Sequence, residues 1–199
     1  MNEVVASISM SVDGYIAGPD DRPGQELGVG GERLHYWIFD GPWTYDNDQT
    51  TGATGVDRNI VDAWNAQSGA VIGGRTTYDI ARAWGGKNPW ENEFFIVTHR
   101  PSDVDADPRQ FTFVDGFQAA LDQARAKAGD KNVHIMGGAN VLRQALEAGV
   151  VDELMLSVAP VVLGGGKRLF DGFARQTELQ LAEVVQSPWA THLRYRIHQ

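Results

Sequence analysis

The segment 133–149, VHIMGGANVLRQALEAG, constrains the fold of this chain more than any other stretch. Residues 133–136 favour a β-strand, Gly137 and Gly138 interrupt it, and an apolar face at helical spacing follows until Gly149. Glycines at such a turn let a ligand approach the helix N-terminus, where free N–H groups and the helix dipole favour a phosphate. The alternative is a plain tight turn, because many strand-to-helix turns use glycine only for its positive φ.

The same order of strand, glycine pair and helix recurs in segment 69–84, GAVIGGRTTYDIARAW. It predicts a strand over 70–72, a glycine turn, and a helix that continues to Trp84. Arg75 and Thr76 stand at this turn and suit a phosphate, through charge-assisted and hydroxyl hydrogen bonds. A surface arginine followed by a threonine N-cap explains the two residues equally well.

A third candidate strand, over 93–97, ends at Thr98, His99 and Arg100. Open α/β sheets bind ligands beyond the carboxyl ends of their strands. If the three strands are neighbours, their ends could together hold the two phosphate-bearing regions of one phosphorylated dinucleotide. Neither glycine turn has the GxGxxG spacing of a Rossmann fingerprint, so the predicted site is of another kind.

The rest of the chain continues the alternation of strands and helices, which favours one α/β domain over residues 1–199 with a mostly parallel sheet between helical layers. The loop over 18–31 is either a mobile lid or an ordinary surface excursion, and its length favours the lid; a second loop covers 40–55. The remaining predicted elements are strands over 3–10, 111–114, 153–158 (extended to 163), 178–185 and 191–197, and helices over 32–39, 56–65 and 117–129, the last with Asp115 and Gln118 as a capping box. The two C-terminal strands alternate apolar and polar residues, as an antiparallel sheet edge does.

Composition narrows the classes of function. A formal charge of −9 disfavours nucleic acid as the main partner, so any phosphate site must be local. The chain lacks an apolar run of membrane-spanning length and the pattern of a signal peptide, which predicts a cytoplasmic protein without membrane contact. With no cysteine there are no disulfides or thiolate ligands, and no metal site is predicted.

Five segments in order resemble bacterial dihydrofolate reductase-like proteins of the type found in the reductase (C-terminal) domain of riboflavin biosynthesis. They cover nearly the whole chain: SMSVDGYIAG (9–18), GAVIGGRTTYD (69–79), FFIVTHR (94–100), VHIMGGANVLRQAL (133–146) and DELMLSVAPVVLGGG (152–166). The resemblance implies the dihydrofolate reductase-like fold, a three-layer α/β/α arrangement with an antiparallel C-terminal edge.

The resemblance also implies NADPH as the cofactor. Residues 75–77 match a turn that contacts the adenosine-side phosphates, 98–100 a strand end near the adenosine 2′-phosphate, and 137–141 the turn that holds the pyrophosphate and borders the nicotinamide. The cofactor contacts implied in this way are Ser9, Ile16, Ala17, Gly74, Arg75, Thr76, Thr77, Thr98, His99, Arg100, Met136, Gly137, Gly138, Ala139, Asn140 and Val141.

The substrate side is defined less well by the motifs. Asp13 matches a position on the substrate side of riboflavin-pathway relatives, and it equally suits a turn-forming Asp-Gly. Dihydrofolate reductases carry an acid on the first helix, but alignment on Trp37 places Leu34 there. Glu32 or Asp40 could serve only if the helix is shifted, and Glu32 otherwise is a helix-start acid. Asp13 and Glu32 are thus the catalytic candidates, and the implied substrate contacts are Leu34, Trp37, Ile38, Trp84 and Ser157.

These features predict an NADPH-dependent reductase that transfers a hydride to a small heterocyclic substrate. The substrate class implied by the resemblance is that of 5-amino-6-(5-phosphoribosylamino)uracil reductase. The alternatives are a dihydrofolate or pteridine reductase-like enzyme and a non-catalytic NADPH-binding module. The resemblance further implies a homodimer, formed through the C-terminal strands and segment 164–170.

Overall fold

The structure is a computed structural model, and it describes residues 2–46, 52–100, 107 and 109–198. The strands are β1 (Val4–Ser11), β2 (Tyr15–Ala17), β3 (Ser68–Gly74), β4 (Glu93–Thr98), β5 (Thr112–Asp115), β6 (Asn132–Ile135), β7 (Glu153–Ala159), β8 (Lys167–Arg168), β9 (Leu179–Gln186) and β10 (Thr191–Ile197). The helices are α1 (Tyr36–Phe39), α2 (Gly55–Gln67), α3 (Arg75–Ile80), α4 (Phe117–Ala128) and α5 (Ala139–Glu147). Two 3-10 helices cover Gly31–His35 and Arg82–Gly86.

In the part of the chain that the structure describes, one sheet of eight strands has the order β5-β4-β3-β6-β1-β7-β10-β9. The pairs from β5 to β7 are parallel, and β10 pairs antiparallel with both β7 and β9. Strands β2 and β8 form a separate antiparallel pair. The predicted fold class, a mostly parallel sheet with an antiparallel C-terminal edge, is therefore confirmed.

The two faces of the sheet differ in chemistry. Helices α4 and α5 cover an aliphatic face, where Leu121 and Leu142 pack fully buried against Ile72 and Ile135. On the opposite face, β3 and β4 carry an aromatic cluster around Phe94. Strands β1, β6 and β7 place buried polar side chains on this second face: Ser7, Ser9, His134, Glu153 and Ser157. An inward polar set of this size needs internal hydrogen-bond partners, because buried polar groups are costly when unpaired.

Three local predictions were wrong. The helix after β3 ends at Ile80, because the chain turns into left-handed backbone at Ala83 and Trp84. Strand β7 ends at Ala159, so the predicted extension to residue 163 is absent there. The predicted capping box does not form: Gly116 is the N-cap of α4, and Gln118 bonds Asp122 one turn later.

The loop over residues 18–31 is held by its own backbone. Gly18 N–H donates to Leu27 O at 2.7 Å, Val29 N–H donates to Pro19 O at 2.8 Å, and Leu27 N–H donates to the Tyr45 hydroxyl at 2.9 Å. Residues 47–51 of the second predicted loop lie outside the described residues. None of the helices described is long and apolar enough to cross a membrane.

Candidate functional site

The three strands whose ends carry the predicted phosphate contacts are neighbours. Strand β3 lies between β4 and β6, and both pairings are parallel. Their carboxyl ends therefore lie at one edge of the sheet, where the turns after β3 and β6 meet: Gly74 N–H donates to Gly137 O at 3.2 Å. The sequence predicted that one dinucleotide could reach all three strand ends only if the strands were neighbours, and they are.

The glycine turns are closely packed against each other. A Cβ atom at position 74 would lie 3.1 Å from Val141 Cγ2, and one at position 138 would lie 2.9 Å from Thr77 Oγ1. Gly137 has φ of 102°, a conformation that other residues rarely adopt. These glycines are thus required by packing and backbone geometry, in addition to any role with a ligand.

Two helices begin at this edge without a side-chain cap among the described residues. Gly74 is the N-cap of α3 and Gly138 is the N-cap of α5, and neither makes a side-chain cap hydrogen bond. The first amides of a helix have no partner within the helix, so these N–H groups are suited to an anion.

Arg75 provides positive charge beside these helix starts. Its Nε donates to Asp79 Oδ1 at 2.7 Å, which fixes the direction of the guanidinium group. Its Nη1 is buried and has no hydrogen-bond partner. A buried, unpaired guanidinium nitrogen is costly to leave unsatisfied, and an anion that reached it would satisfy it.

At the end of β4, Thr98 is buried and its Oγ1 accepts the backbone N–H of Arg100 at 3.1 Å. His99 is exposed, and its Nδ1 lies 3.1 Å from Asp115 Oδ1 on the neighbouring strand β5. Arg100 is exposed. This strand end therefore combines basic side chains with one carboxylate.

The other predicted cofactor contacts lie along the same edge or on β1 and β2. Ser9, Ile16 and Ala17 are buried, and Met136 N–H donates to Ile72 O at 3.0 Å. Asn140 is exposed and its Oδ1 accepts from Gln144. Thr76 is exposed, Ala139 is half-buried, and Val141 is buried against the turn after β3.

The polar sheet face holds a hydrogen-bonded chain that sequence reasoning did not find. Ser157 Oγ lies 2.8 Å from His192 Nδ1, and His192 Nε2 lies 2.7 Å from Asp57 Oδ1. All three residues are buried, with exposed fractions of 2%, 5% and 3%. The Trp37 ring packs on His192 at 4.9 Å between centroids, and its Nε1 donates to Ser9 Oγ at 2.9 Å.

The predicted substrate contacts are divided between two clusters. Trp37 is buried beside Trp64 and His192. Leu34 is also fully buried, and Ile38 is half-buried on α1. Trp84 belongs to the aromatic cluster, where it stacks on Phe111 at 6.0 Å. Of these residues, Trp37 and Ser157 stand together around His192, and Trp84 packs in the other cluster.

The two carboxylates predicted as catalytic have different environments. Both oxygens of Asp13 accept backbone N–H groups, from Leu163 at 3.1 Å and Gly164 at 2.8 Å. A hydrogen bond from Ser11, together with those two amides, lowers the pKa of Asp13 to about 2. It is therefore ionised near neutral pH, which suits fastening a loop more than donating a proton. Glu32 is half-buried in the first 3-10 helix, and its backbone oxygen accepts Trp43 Nε1–H at 3.0 Å.

Asp57 and His192 were missed for a physical reason. Asp57 is the third residue of α2, where an acid usually indicates only a favourable helix start. His192 lies in an alternating strand of unknown register, and only the pairing of β10 with β7 places it opposite Ser157. No spacing in the sequence joins these positions. The described residues contain no group of three or more His, Cys, Asp or Glu able to hold a metal ion.

The fold is that of a reductase-like α/β protein of the dihydrofolate reductase type. The chain belongs to the family of the RibD C-terminal domain, whose model matches residues 2–193.

The chain is also similar to a curated protein in sequence and to solved structures in fold. YwjB of Bacillus subtilis, an uncharacterised protein, is 29% identical over 63% of this chain and 71% of its own length. The fold matches that of a candidate riboflavin biosynthesis protein from Shewanella sp. PV-4, with a TM-score of 0.73, 18% identity and 99% of each chain covered. It also matches a deaminase and 5-amino-6-(5-phosphoribosylamino)uracil reductase from Thermotoga maritima, with a TM-score of 0.64 and 12% identity, over 99% of this chain and 57% of that one.

Proposed function

We propose that this protein is an NADPH-dependent reductase of a small heterocyclic substrate, most similar in reaction to 5-amino-6-(5-phosphoribosylamino)uracil reductase. The observation that carries the proposal is the buried, unpaired Nη1 of Arg75 at an edge where two uncapped helices begin. The membership of a reductase-domain family supports it, as does the reductase named among the structural neighbours.

The residues present fit a phosphorylated dinucleotide. Arg75 and the first amides of α3 would hold phosphate oxygens on the adenosine side, and the amides after Gly138 would hold the pyrophosphate. Arg100 at the end of β4 would favour the adenosine 2′-phosphate. When bound, the cofactor supplies a hydride to a C=N or C=O carbon of the substrate.

The chain's own task is to orient and enclose the reactants. Ser9, Ile16 and Ala17 are buried beside the end of β1, where they would exclude water from the nicotinamide. The substrate ring would lie on the polar sheet face, against Trp37 and Ser157. A planar pyrimidine suits this position because an indole ring offers a flat apolar surface.

We also propose that the protein acts in the cytoplasm as a homodimer. Several large apolar side chains are exposed on the edge strand β9 and near segment 164–170, among them Leu181 (55% exposed) and Val162 (70%). An exposed apolar edge strand favours pairing with a second copy. Leu181→Lys is expected to shift the protein from dimer to monomer in light scattering, and an unchanged mass would contradict this surface.

The reductase proposal is tested by NADPH oxidation with 5-amino-6-(5-phosphoribosylamino)uracil as the substrate. Arg75→Ala is expected to raise the KM for NADPH by about 10- to 100-fold, because it removes charge-assisted hydrogen bonds to phosphate. Arg58→Ala is the matched control, since Arg58 also pairs with an aspartate four residues later, at 2.8 Å, but on the exposed surface of α2.

An equal effect of the two substitutions would contradict the phosphate role of Arg75. Absence of substrate-dependent oxidation, together with tight NADPH binding, would favour the non-catalytic module. Oxidation with dihydrofolate in place of the pyrimidine would move the substrate to the pteridine class.

A further inference from the structure

The hydrogen-bonded chain Ser157–His192–Asp57 has the geometry of a proton path. Its members come from β7, β10 and α2, which are far apart in sequence, and its two links measure 2.8 and 2.7 Å. The carboxylate accepts from Nε2–H of the imidazole, which leaves Nδ1 facing the serine hydroxyl. A histidine fixed in this way between a carboxylate and a hydroxyl can move a proton without moving its ring.

The hydrogen-bonded chain Ser157–His192–Asp57 has two protonation states that differ in charge. When His192 is protonated, its Nδ1–H donates to Ser157 Oγ, and the hydroxyl proton of Ser157 is free for another acceptor. The imidazolium and the Asp57 carboxylate then form a neutral pair, whereas a neutral imidazole leaves an uncompensated buried carboxylate. Burial of a lone charge is costly, so the imidazolium and the carboxylate stabilise each other.

The serine end of the chain points to the part of the sheet where the reaction is expected. Ser157 is the register partner of Ser9 in the parallel pair of β1 and β7. Ser9 is the β1 residue that the family resemblance places at the nicotinamide. Trp37 on α1 donates its indole N–H to Ser9 and packs on His192, so its ring lies close to Ser9 and to the link between Ser157 and His192.

We propose that Ser157 is the catalytic proton donor of the reductase, and that His192 and Asp57 are positioning residues that load and hold the proton. This inference rests on the proposed reductase function. As the hydride forms the C–H bond, the π electrons of C=N move to nitrogen, which takes the Ser157 hydroxyl proton. Ser157 Oγ takes the proton from His192 Nδ1, the imidazole becomes neutral, and water reprotonates it after product release.

The other groups around His192 leave Asp57 as its main electrostatic partner. Trp37 packs on the ring from α1, and Val185 is its register partner on β9. The next charged residue on the same face of β10, Arg194, is paired with Glu183 at 3.1 Å and with Glu153 at 3.8 Å. The form with the imidazolium is the active one, so the pH profile of kcat reports on the pair of His192 and Asp57.

The test compares Ser157→Ala with Ser7→Ala in steady-state reduction. Ser7 is an equally buried serine on the same face, and its hydroxyl also contacts a histidine, His134, at 2.5 Å. Ser157→Ala is expected to lower kcat about 100-fold without changing the affinity for NADPH, since general acid catalysis contributes about 10²- to 10⁴-fold. Ser157→Thr keeps a hydroxyl and is expected to restore most of the rate, and Ser7→Ala should match the wild type.

The positioning residues are tested by the pH profile of kcat. The double substitution Asp57→Asn with His192→Asn leaves no unpaired buried charge, and it is expected to change the pH profile of kcat. In the ligand-free protein, proton NMR should show a low-field imidazole signal that persists in Ser157→Ala and disappears in the double variant.

These outcomes distinguish failure of the proton relay through Ser157, His192 and Asp57 from failure of the proposed reductase function. A Ser157→Ala variant with the wild-type kcat, or an unchanged pH profile in the double variant, would overturn the relay and leave the reductase intact. A wild-type protein that neither binds nor oxidises NADPH would overturn the proposed function itself.

Discussion

Two serine–histidine pairs lie on the same polar face of the sheet, and they differ in one partner. Ser7 and His134 join β1 and β6, whereas Ser157 and His192 join β7 and β10. His192 has the Asp57 carboxylate at its second nitrogen. His134 instead packs against the Trp64 ring at 5.5 Å, and burial lowers its pKa to about 4.

The difference shows how one residue changes the chemistry of a buried histidine. Without a counter-ion, desolvation keeps His134 neutral at physiological pH, and the pair only satisfies its own hydrogen bonds. With a carboxylate, the imidazole can carry a proton between two fixed partners. We therefore assign a structural role to the first pair and proton transfer to the second.

Replacing each histidine by leucine is expected to give the largest difference in stability between the two pairs. His192→Leu leaves the Asp57 carboxylate buried without a partner, and is expected to lower the free energy of unfolding by about 3 to 5 kcal/mol. His134→Leu leaves only the Ser7 hydroxyl unpaired, which costs about 1 to 3 kcal/mol. Urea denaturation of both variants measures the difference, and equal losses would contradict the dependence of Asp57 on His192.

The pH dependence of stability is expected to give the next largest difference between the two pairs. The folded protein holds the pKa of His134 at about 4, below the ordinary value of 6.5, so the unfolded chain binds more protons between these values. Through His134 alone, the free energy of unfolding is expected to fall by up to about 3 kcal/mol from pH 6.5 to pH 4. Burial also lowers the pKa of His35 to about 4, so His35 adds a second contribution in the same range. His134→Leu should lose this part of the pH dependence, and an unchanged curve would show that His134 is not the group responsible.

Removing the hydroxyl of either serine is expected to have the smallest effect on stability. Ser7→Ala and Ser157→Ala each remove one buried hydroxyl, and each is expected to lower the free energy of unfolding by about 1 kcal/mol. Thermal unfolding of the two variants checks this equality. A much larger loss for Ser157→Ala would mean that its effect on the reaction comes from a damaged fold.

The strand ends of the site could be predicted from the sequence because each pattern lies within one short segment. The turns at Gly74 and Gly138 combine a strand, a glycine pair and an apolar helix face within about twenty residues, and the alternation in 178–185 and 191–197 marks the edge hairpin. The early end of α3 could not be predicted in this way, because Trp84 leaves helical geometry to pack against Phe94 and Phe111.

The proton chain could not be predicted in this way. Ser157 was expected near the substrate through the family resemblance, but its link to Asp57 depends on three elements that meet only in the folded protein. Tertiary pairing of β10 with β7 fixes His192, and the packing of α2 on the same face brings Asp57 within 2.7 Å of it.

Calorimetric titration of the wild-type protein with NADPH and with NADH tests the central claim most directly. We expect saturable binding of both, tighter for NADPH by 10-fold or more, because Arg100 would add a charge-assisted contact to the 2′-phosphate. Preference for NADH would contradict the 2′-phosphate site, and would point to Asp115 beside His99 as a partner for a free ribose hydroxyl. Binding of neither cofactor would contradict the assignment of this sheet edge as a dinucleotide site.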